Sequence, residues 1–230
     1  MKRILLFLFT STLLFPLQAQ EKIETISVLG DFSTISVYAG IEVNLIKSKE
    51  NKIVLSDKNE DTSVFGYKIK NNNLKLRAGI DKKLSLGNIF VDVYYRNDID
   101  ELKLFQGSKV FLKDTINQTN LKIKVKEGSL LVGIVNTDRA TVEVFSGGSV
   151  SIKGESSVVE IKSSTGGICS AEELSSKQTM IHASIGSVVH ATASTLMEAN
   201  ATTGAIIRVY GSPKKLITNT RLGGSIKYIK

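Results

Sequence analysis

The sequence predicts an all-β, single-domain β-solenoid with coils of about 20 residues, and three observations support this prediction. Short Gly-Ser motifs recur at a near-constant interval, apolar and polar residues alternate before each motif, and no stretch shows a sustained helical period with end caps. The 18 glycines, two prolines and many β-branched residues fit strands that are joined by glycine turns.

The first element in the chain is a predicted signal peptide at residues 1–19. Lys2 and Arg3 precede an apolar run from Ile4 to Leu17, and Ala19 provides a small residue for cleavage before Gln20. The run is shorter than the roughly 20 residues that span a bilayer, and no later stretch is longer. We therefore expect an exported protein, periplasmic, at the cell surface or extracellular, with no transmembrane segment in the mature chain.

Residues 20–230 are predicted to form one β-helix domain, in which 20–100 is an irregular β cap with the first coils. Two alternating strands, Ile35–Val37 and Ile41–Leu45, flank Ala39-Gly40. A hairpin is predicted around Asn71-Asn72, because Asn tolerates the positive φ of tight turns. We expect this region to cover the open end of the solenoid, since bare sheet edges invite aggregation.

The regular coils are predicted to fill residues 101–230, where seven motifs recur. They are Gly107-Ser108-Lys109, Gly128-Ser129-Leu130, Gly148-Ser149-Val150, Gly166-Gly167-Ile168, Gly186-Ser187-Val188, Gly204-Ala205-Ile206 and Gly224-Ser225-Ile226. Their successive spacings are 21, 20, 18, 20, 18 and 20 residues. Such a period indicates a solenoid, in which stacked units bury a continuous core that one unit cannot bury alone.

The residues before each motif predict which side chains face the core. Apolar pairs alternate with polar residues, as in a strand with one buried face. The pairs are Leu102/Leu104, Ile123/Val125, Val142/Val144, Val159/Ile161, Thr179/Ile181 and Met197/Ala199.

The net charge of the mature chain is +6, because removing Lys2 and Arg3 leaves 28 basic and 22 acidic residues. The excess lies in residues 161–230, which hold eight basic and three acidic residues. A basic end can bind acidic polysaccharide, lipid head groups or nucleic acid, and nucleic acid is not expected as the partner of an exported protein.

The chain lacks any motif that would predict an enzyme, a cofactor or a metal. It contains no Gly-x-Ser-x-Gly, no phosphate-binding glycine loop and only two histidines, His182 and His190. The single cysteine, Cys169, cannot form an internal disulfide, and we expect a small buried residue rather than a reactive thiol.

Stacked coils should align outward side chains in columns about 4.8 Å apart. One predicted column is Lys103, Lys124, Glu143, Glu160, Met180 and Glu198. It would place Glu143 over Glu160, a like-charge contact that destabilises the sheet unless water or a cation relieves it. The same two carboxylates are candidates for glycoside hydrolysis, which would require a cleft that short loops do not build.

A second predicted column is the candidate binding surface. It contains Phe105, Lys126, Phe145, Lys162, His182 and Asn200, in which exposed aromatic rings alternate with lysines. Such rings could stack on sugars, or they could pair with the lysines for stability alone. The basic C-terminal residues form a second candidate: Arg208, Lys214, Lys215, Arg221 and Lys227.

One segment resembles a known family. Residues 32–45, Phe-Ser-Thr-Ile-Ser-Val-Tyr-Ala-Gly-Ile-Glu-Val-Asn-Leu, are similar to the opening of the head GIN domain family of "putative autotransporter adhesins". The Gly-Ser coils, Gly211-Ser212-Pro213 and Leu222-Gly223-Gly224-Ser225-Ile226 also resemble that family, apart from Gly167 and Ala205, which replace Ser. The resemblance implies a right-handed parallel β-helix that is exported by Gram-negative bacteria, and it supplies no catalytic residues.

These observations favour a non-enzymatic, monomeric binding or adhesion-type protein of the cell envelope. Its flat face would engage an acidic polysaccharide, another envelope polymer or a protein. One alternative is a carbohydrate-active β-helix enzyme, which needs clustered acids in a groove. The other is a lipid- or amphiphile-binding module, which needs a wide apolar interior.

Overall fold

A computed structural model describes residues 22–27, 30–57, 65–78 and 89–229, and the predicted signal peptide lies outside them. The described residues contain nineteen strands and no helix. They form a β-solenoid of about seven turns with a spacing of about 19 residues, which confirms the predicted fold class.

The strands have the following bounds. The N-terminal strands are β1 (Lys22–Ser27), β2 (Thr34–Val37), β3 (Glu42–Lys47), β4 (Lys52–Asp57), β5 (Phe65–Lys70), β6 (Asn73–Ala78) and β7 (Ile89–Tyr95). The next six are β8 (Glu101–Leu104), β9 (Lys109–Leu112), β10 (Ile116–Val125), β11 (Leu130–Phe145), β12 (Ser149–Ser164) and β13 (Ile168–Ala171). The last six are β14 (Leu174–Ala183), β15 (Val188–Thr192), β16 (Leu196–Thr202), β17 (Ile206–Tyr210), β18 (Lys215–Arg221) and β19 (Ser225–Tyr228).

Each coil consists of a strand that enters a glycine corner and a strand that leaves it. The entering strands stack in parallel as one sheet, here the entry sheet, whose order from β2 is β2, β8, β10, β11, β12, β14, β16, β18. The leaving strands form the exit sheet, ordered β3, β9, β11, β12, β13, β15, β17, β19. Strands β11 and β12 contribute to both sheets, because they continue through the opposite turn of the coil, here the rear corner.

The glycine corners, here the front corners, are pairs of residues with positive φ. The pairs are Ala39/Gly40, Gln106/Gly107, Glu127/Gly128, Ser146/Gly147, Thr165/Gly166, Ile185/Gly186, Thr203/Gly204 and Leu222/Gly223. Successive corners bond to each other along the axis, as where the Gly107 N–H donates to the Glu127 carbonyl oxygen at 2.9 Å. The glycine of each pair can adopt this left-handed conformation without a Cβ penalty.

The residue after each corner faces inward, and after seven of the eight corners it is Ser, Gly or Ala, the exception being Ile41. This explains the Gly-Ser pattern. Ser108 and Ser187 are fully buried, and their hydroxyls donate to the carbonyl oxygens of Val37 at 3.2 Å and Ser163 at 3.0 Å. At Gly148 an added Cβ would lie only 2.7 Å from the Val125 carbonyl oxygen. These serines therefore join neighbouring coils, and they are buried hydrogen-bond donors rather than exposed nucleophiles.

The corner positions correct two of the predicted motifs. The positive-φ glycines are Gly147 and Gly223, whereas the sequence motifs began one residue later, at Gly148 and Gly224. The error arose because a Gly-Gly pair gives two ways to place the corner. The Ala39/Gly40 pair is an eighth front corner, which belongs to the region predicted to be irregular.

The N-terminal coils do not stack in chain order. Strand β2 pairs in parallel with β6 on one side and β8 on the other, so the coil of β2 and β3 lies between that of β6 and β7 and that of β8 and β9. Beyond it, β5 extends the entry sheet and β4 with β1 extends the exit sheet, all antiparallel. The β5–β6 hairpin turns at Asn71 and Asn72, both with positive φ, which confirms the predicted hairpin.

The interior is filled by alternate residues of both sheets. Val144, Ile161 and Ile181 are each 0% exposed, and Val144 faces inward as predicted, while its neighbour Glu143 faces outward. One core column also contains a buried serine, Ser163, whose hydroxyl donates to the Gly167 carbonyl oxygen at 3.1 Å.

The predicted alignment of the outward columns is wrong at one step, by two residues between β11 and β12. The other steps of the first column are confirmed, since Lys103, Lys124 and Glu143 align with one another, as do Glu160, Met180 and Glu198. Val142 pairs with Ile161, and Val144 pairs with Ser163, so Glu143 lies beside Lys162 rather than Glu160. The prediction matched Val142/Val144 with the apolar pair Val159/Ile161. The true partners are Ile161 and Ser163, and the polar Ser163 was not recognised as a core residue. The like-charge contact between Glu143 and Glu160 is therefore absent from the described register.

Candidate binding surface

Four side chains form a column on the entry sheet, at the last outward position before each front corner. The pairing of Val37 with Leu104, Leu104 with Val125 and Val125 with Val144 places Tyr38, Phe105, Lys126 and Phe145 side by side. Ser164 follows Phe145 in the same column. We call the first four residues the aromatic strip.

Within the aromatic strip the side chains contact one another, and the one cation, Lys126, has no carboxylate partner among the described residues. The Tyr38 and Phe105 rings stack with centroids 4.9 Å apart and planes 11° from parallel, and Lys126 Nζ lies 5.3 Å from the centre of the Phe145 ring. All four side chains are half-buried. In the described part of the chain no carboxylate lies within 4.0 Å of Lys126 Nζ. The strip therefore combines apolar surface with a positive charge that contacts an aromatic ring but has no carboxylate partner in this part of the chain.

Lys162, predicted to belong to this column, lies in the neighbouring one. It pairs with Glu143 and His182 across the ladder, and its Nζ forms an ion pair with Glu160 at 2.8 Å, which raises the lysine pKa. His182 and Asn200 share that neighbouring column too. The same shift of two residues accounts for all three displacements.

In the columns beside the aromatic strip, lysines and glutamates form ion pairs with one another. Glu143 bridges Lys122 at 3.3 Å and Lys124 at 3.1 Å, and Glu101 bridges Lys103 at 2.7 Å. Burial opposes ionisation of Glu143, but hydrogen bonds from both lysines outweigh it and hold the pKa of that carboxyl below its ordinary value. Since these charges neutralise one another, the absence of a carboxylate partner for Lys126 within the described structure distinguishes the strip from the neighbouring columns.

The predicted basic C-terminal residues surround the last coils instead of forming one patch. Lys214 and Lys215 lie where β18 begins, and Arg221 lies at its other end, about 20 Å away for six strand steps. Arg208 and Lys227 are cross-strand neighbours on the exit sheet.

Arg208 belongs to a polar cluster that sequence analysis did not predict. Its Nη1 donates to His190 Nε2 at 2.9 Å, so the ring proton lies on Nδ1, which donates to the Tyr210 hydroxyl at 3.0 Å. Partial burial lowers the pKa of His190; the Glu172 carboxylate opposes this shift and Arg208 adds to it. The arrangement therefore favours neutral His190.

We expect acidification to destabilise the protein partly through His190. Because the folded-state pKa lies below the ordinary value of about 6.5, the unfolded chain binds more protons just below that pH, and stability falls as pH decreases. Melting temperatures at pH 7.5 and 5.5 should differ more in the parent than in His190→Gln. An equal difference in both proteins would contradict this assignment, and His182→Gln, an exposed histidine on the other sheet, is the control.

The residues considered for a metal site do not converge. Cys169 faces the core, His182 lies on the outer face of the entry sheet and His190 on that of the exit sheet. Within the described residues, no three His, Cys, Asp or Glu side chains are grouped to hold a metal ion. Burial and the Glu172 charge raise the pKa of the Cys169 thiol to about 12, so the buried position predicted for it leaves little thiolate near neutral pH.

A shallow groove of about 540 Å³ runs along the rear corners, and no sequence motif indicated it. It is lined mainly by short polar side chains from five coils, including Asn136, Ser156, Ser176, Ser194 and Ser212. Many of its hydroxyls are already bonded within the protein, as where Ser176 donates to the Thr192 carbonyl oxygen at 2.9 Å. These bonds join successive coils along this side of the solenoid.

Comparison with known proteins identifies a family and a shared fold. A family model described as "Putative auto-transporter adhesin, head GIN domain" matches residues 31–213. None of the curated proteins matches the chain. The described residues contain no helix that is long and apolar enough to cross a membrane.

Three solved structures have the same fold at low sequence identity. A "putative adhesin" of Bacteroides fragilis is 16% identical with a TM-score of 0.81, covering 93% of this chain and 100% of its own. A "putative adhesin" of Parabacteroides merdae is 14% identical with a TM-score of 0.70, covering 92% and 97%. A "putative lipid binding protein" of Parabacteroides distasonis is 13% identical with a TM-score of 0.67, covering 91% and 97%.

Proposed function

The chain belongs to the head GIN domain family, as residues 32–45 predicted, and we propose that it is an exported, non-enzymatic adhesion-type protein whose aromatic strip binds an acidic polysaccharide. The observation that carries this proposal is that Lys126, which has no carboxylate partner among the residues described, lies in one column with half-buried aromatic rings. The adhesin description of the family and of two similar structures supports a binding role.

The geometry of the aromatic strip suits an extended polymer. Four residues on adjacent strands span three steps of about 4.8 Å, or about 14 Å along the solenoid axis. Aromatic faces offer apolar stacking surface to sugar rings, and Lys126 supplies a charge for a carboxylate or sulfate. We propose that the signal peptide directs the protein to the periplasm or cell surface, where such polymers occur, and that it acts as a monomer.

Two alternatives find less support. The candidate hydrolytic carboxylates Glu143 and Glu160 are both held in ion pairs with lysines on a flat sheet. A lipid-binding module would need a wide interior, and the described core is filled by side chains that are almost fully buried. We therefore propose that bound polysaccharide is not cleaved, and that no new reducing ends appear during binding experiments.

The proposal predicts a specific loss of binding in strip variants. Alginate and polygalacturonate serve as acidic probes and dextran as a neutral one. Phe105→Ala/Phe145→Ala should weaken binding of the acidic probes at least tenfold, which corresponds to about 1.4 kcal/mol. Lys126→Gln should weaken binding at low salt only, because the Debye length falls to about 3 Å at 1 M salt.

A matched control lies on the exit sheet. Lys113 Nζ lies 5.6 Å from the centre of the Phe111 ring, which repeats the lysine–phenylalanine contact away from the strip. Phe111→Ala/Lys113→Gln should bind as the parent does. If the strip variants also bind as the parent does at low salt while Lys214→Ala/Lys215→Ala does not, the strip is not the site.

A further inference from the structure

We propose that the C-terminal end of the solenoid is a docking site for an extended β-strand of an acidic protein partner. The inference concerns a different surface from the aromatic strip and does not depend on polysaccharide binding. It rests on three features of the last coil: its free strand edges, its exposed core-type side chains and its charge.

The first feature is the pair of unpaired edges. Within the described residues, β18 pairs only with β16 and β19 pairs only with β17. The amide of Lys215 donates inward to the Thr195 carbonyl oxygen at 2.9 Å, and alternation along the strand then points the amides of Leu216, Thr218 and Thr220 to the free edge. An added strand could bond to these groups.

The second feature is a set of apolar side chains at positions that are buried in other coils. Tyr228 is 52% exposed, although its ladder partner Val209 is 0% exposed. Leu216 is only half-buried, although its ladder partner Met197 is 0% exposed, and the core-facing Ile226 is half-buried too. A strand docked on the last coil would cover part of this surface, as each preceding coil is covered by the next.

The third feature is the positive charge of this end, which indicates that the docked strand is acidic. Residues 199–230 contain six basic residues (Arg208, Lys214, Lys215, Arg221, Lys227, Lys230) and no acidic residue. In the described part of the chain, none of the four exposed cations Lys214, Lys215, Arg221 and Lys227 forms an ion pair within 4.0 Å. Two copies meeting through this end would oppose like charges, whereas an acidic strand would neutralise them.

A synthetic peptide tests strand addition directly. The probe is a fluorescent, N-acetylated (Glu-Val)₄ amide, compared with the same peptide N-methylated at alternate residues, which keeps its charge but cannot complete a ladder. We expect polarisation to show binding of the first peptide and at least tenfold weaker binding of the second. Equal binding of both would overturn the proposal, since the contact would then be charge alone. No binding of the first peptide would overturn it too.

A proline variant provides the test on the protein side. Thr218→Pro removes an amide that faces the free edge, a position where a strand tolerates proline, so the ladder with β16 should persist. We expect an unchanged far-ultraviolet circular dichroism spectrum and at least tenfold weaker peptide binding, with parental binding in the control Thr218→Val. If Thr218→Pro binds the peptide as the parent does, the edge is not the site.

The oligomeric state tests whether a second copy of this chain, instead of an acidic partner, pairs with the free edge. Light scattering should show that the protein alone is a monomer at micromolar concentration. A dimer that Thr218→Pro dissociates would overturn the acidic-partner assignment, because the occupant would then be a second copy. Alginate competition separates strand addition from simple charge binding. If alginate displaces the peptide from the parent and binds Thr218→Pro with unchanged affinity, the site binds polyanions in general, and strand docking is overturned.

Discussion

Val144→Asp is expected to unfold most of the protein at room temperature, whereas Glu143→Ala is expected to leave it folded. Val144 is 0% exposed in the middle of the core, where an unpaired carboxylate costs more than several kcal/mol. A domain of this kind has only about 5–15 kcal/mol of stability to lose. Circular dichroism at 25 °C and thermal unfolding would measure both variants.

Glu143→Ala should lower the melting temperature only slightly. It removes two ion pairs at the surface and leaves Lys122 and Lys124 without that partner, a loss of about 1 kcal/mol, or about 2–4 °C. This corrects the sequence-based idea that its loss would relieve repulsion with Glu160. Val144→Thr is the matched control, because it keeps the shape without a charge. Similar melting temperatures for Val144→Asp and Glu143→Ala would contradict the inward and outward assignment.

Gly154→Ala is expected to cost about 3 kcal/mol or more. Gly154 has φ +111°, which side-chain-bearing residues rarely adopt, and an added Cβ would lie 2.2 Å from the Val135 carbonyl oxygen of the preceding coil. Its own amide donates to the Glu173 carbonyl oxygen at 3.1 Å, so the backbone cannot move away without losing a bond between coils. Thermal unfolding should show a large decrease in melting temperature.

Gly107→Asn provides the comparison for Gly154→Ala. Gly107 has φ +72°, no atom lies within 4 Å of its added Cβ, and Asn tolerates this conformation. The neighbouring Gln106 already adopts φ 59°. We expect Gly107→Asn to cost about 1 kcal/mol or less. If Gly154→Ala were as stable as Gly107→Asn, the close approach of the coils at Gly154 would be wrong.

The sequence was sufficient to predict the solenoid because its corners recur and its strands alternate. Every front corner from Gln106/Gly107 onward is followed by a small residue that faces inward, so Ser108, Ser129, Ser187 and Ala205 repeat for a steric reason. The exact register was not predictable from apolar pairs, because Ser163 occupies a core position through a side-chain hydrogen bond that alternation does not reveal.

Other features depend on contacts between residues that are distant in sequence. The placement of β2 between β6 and β8 follows from strand pairing, and no local pattern indicates it. Tyr38 was missed as a member of the aromatic strip, although a signal was present. Tyr38-Ala39-Gly40 has an aromatic residue two positions before a corner glycine, as Phe105-Gln106-Gly107 does. Treating Ala39-Gly40 as a corner would have placed Tyr38 beside Phe105.

The central claim, that the aromatic strip is the binding surface, is tested most directly by nuclear magnetic resonance of the labelled protein during titration with short alginate oligomers. We predict that the largest amide shift changes occur at residues 38–40, 105–107, 126–128 and 145–147, the front corners that carry the strip. Changes confined to the rear-corner groove or to residues 214–229, with the strip corners unaffected, would contradict it.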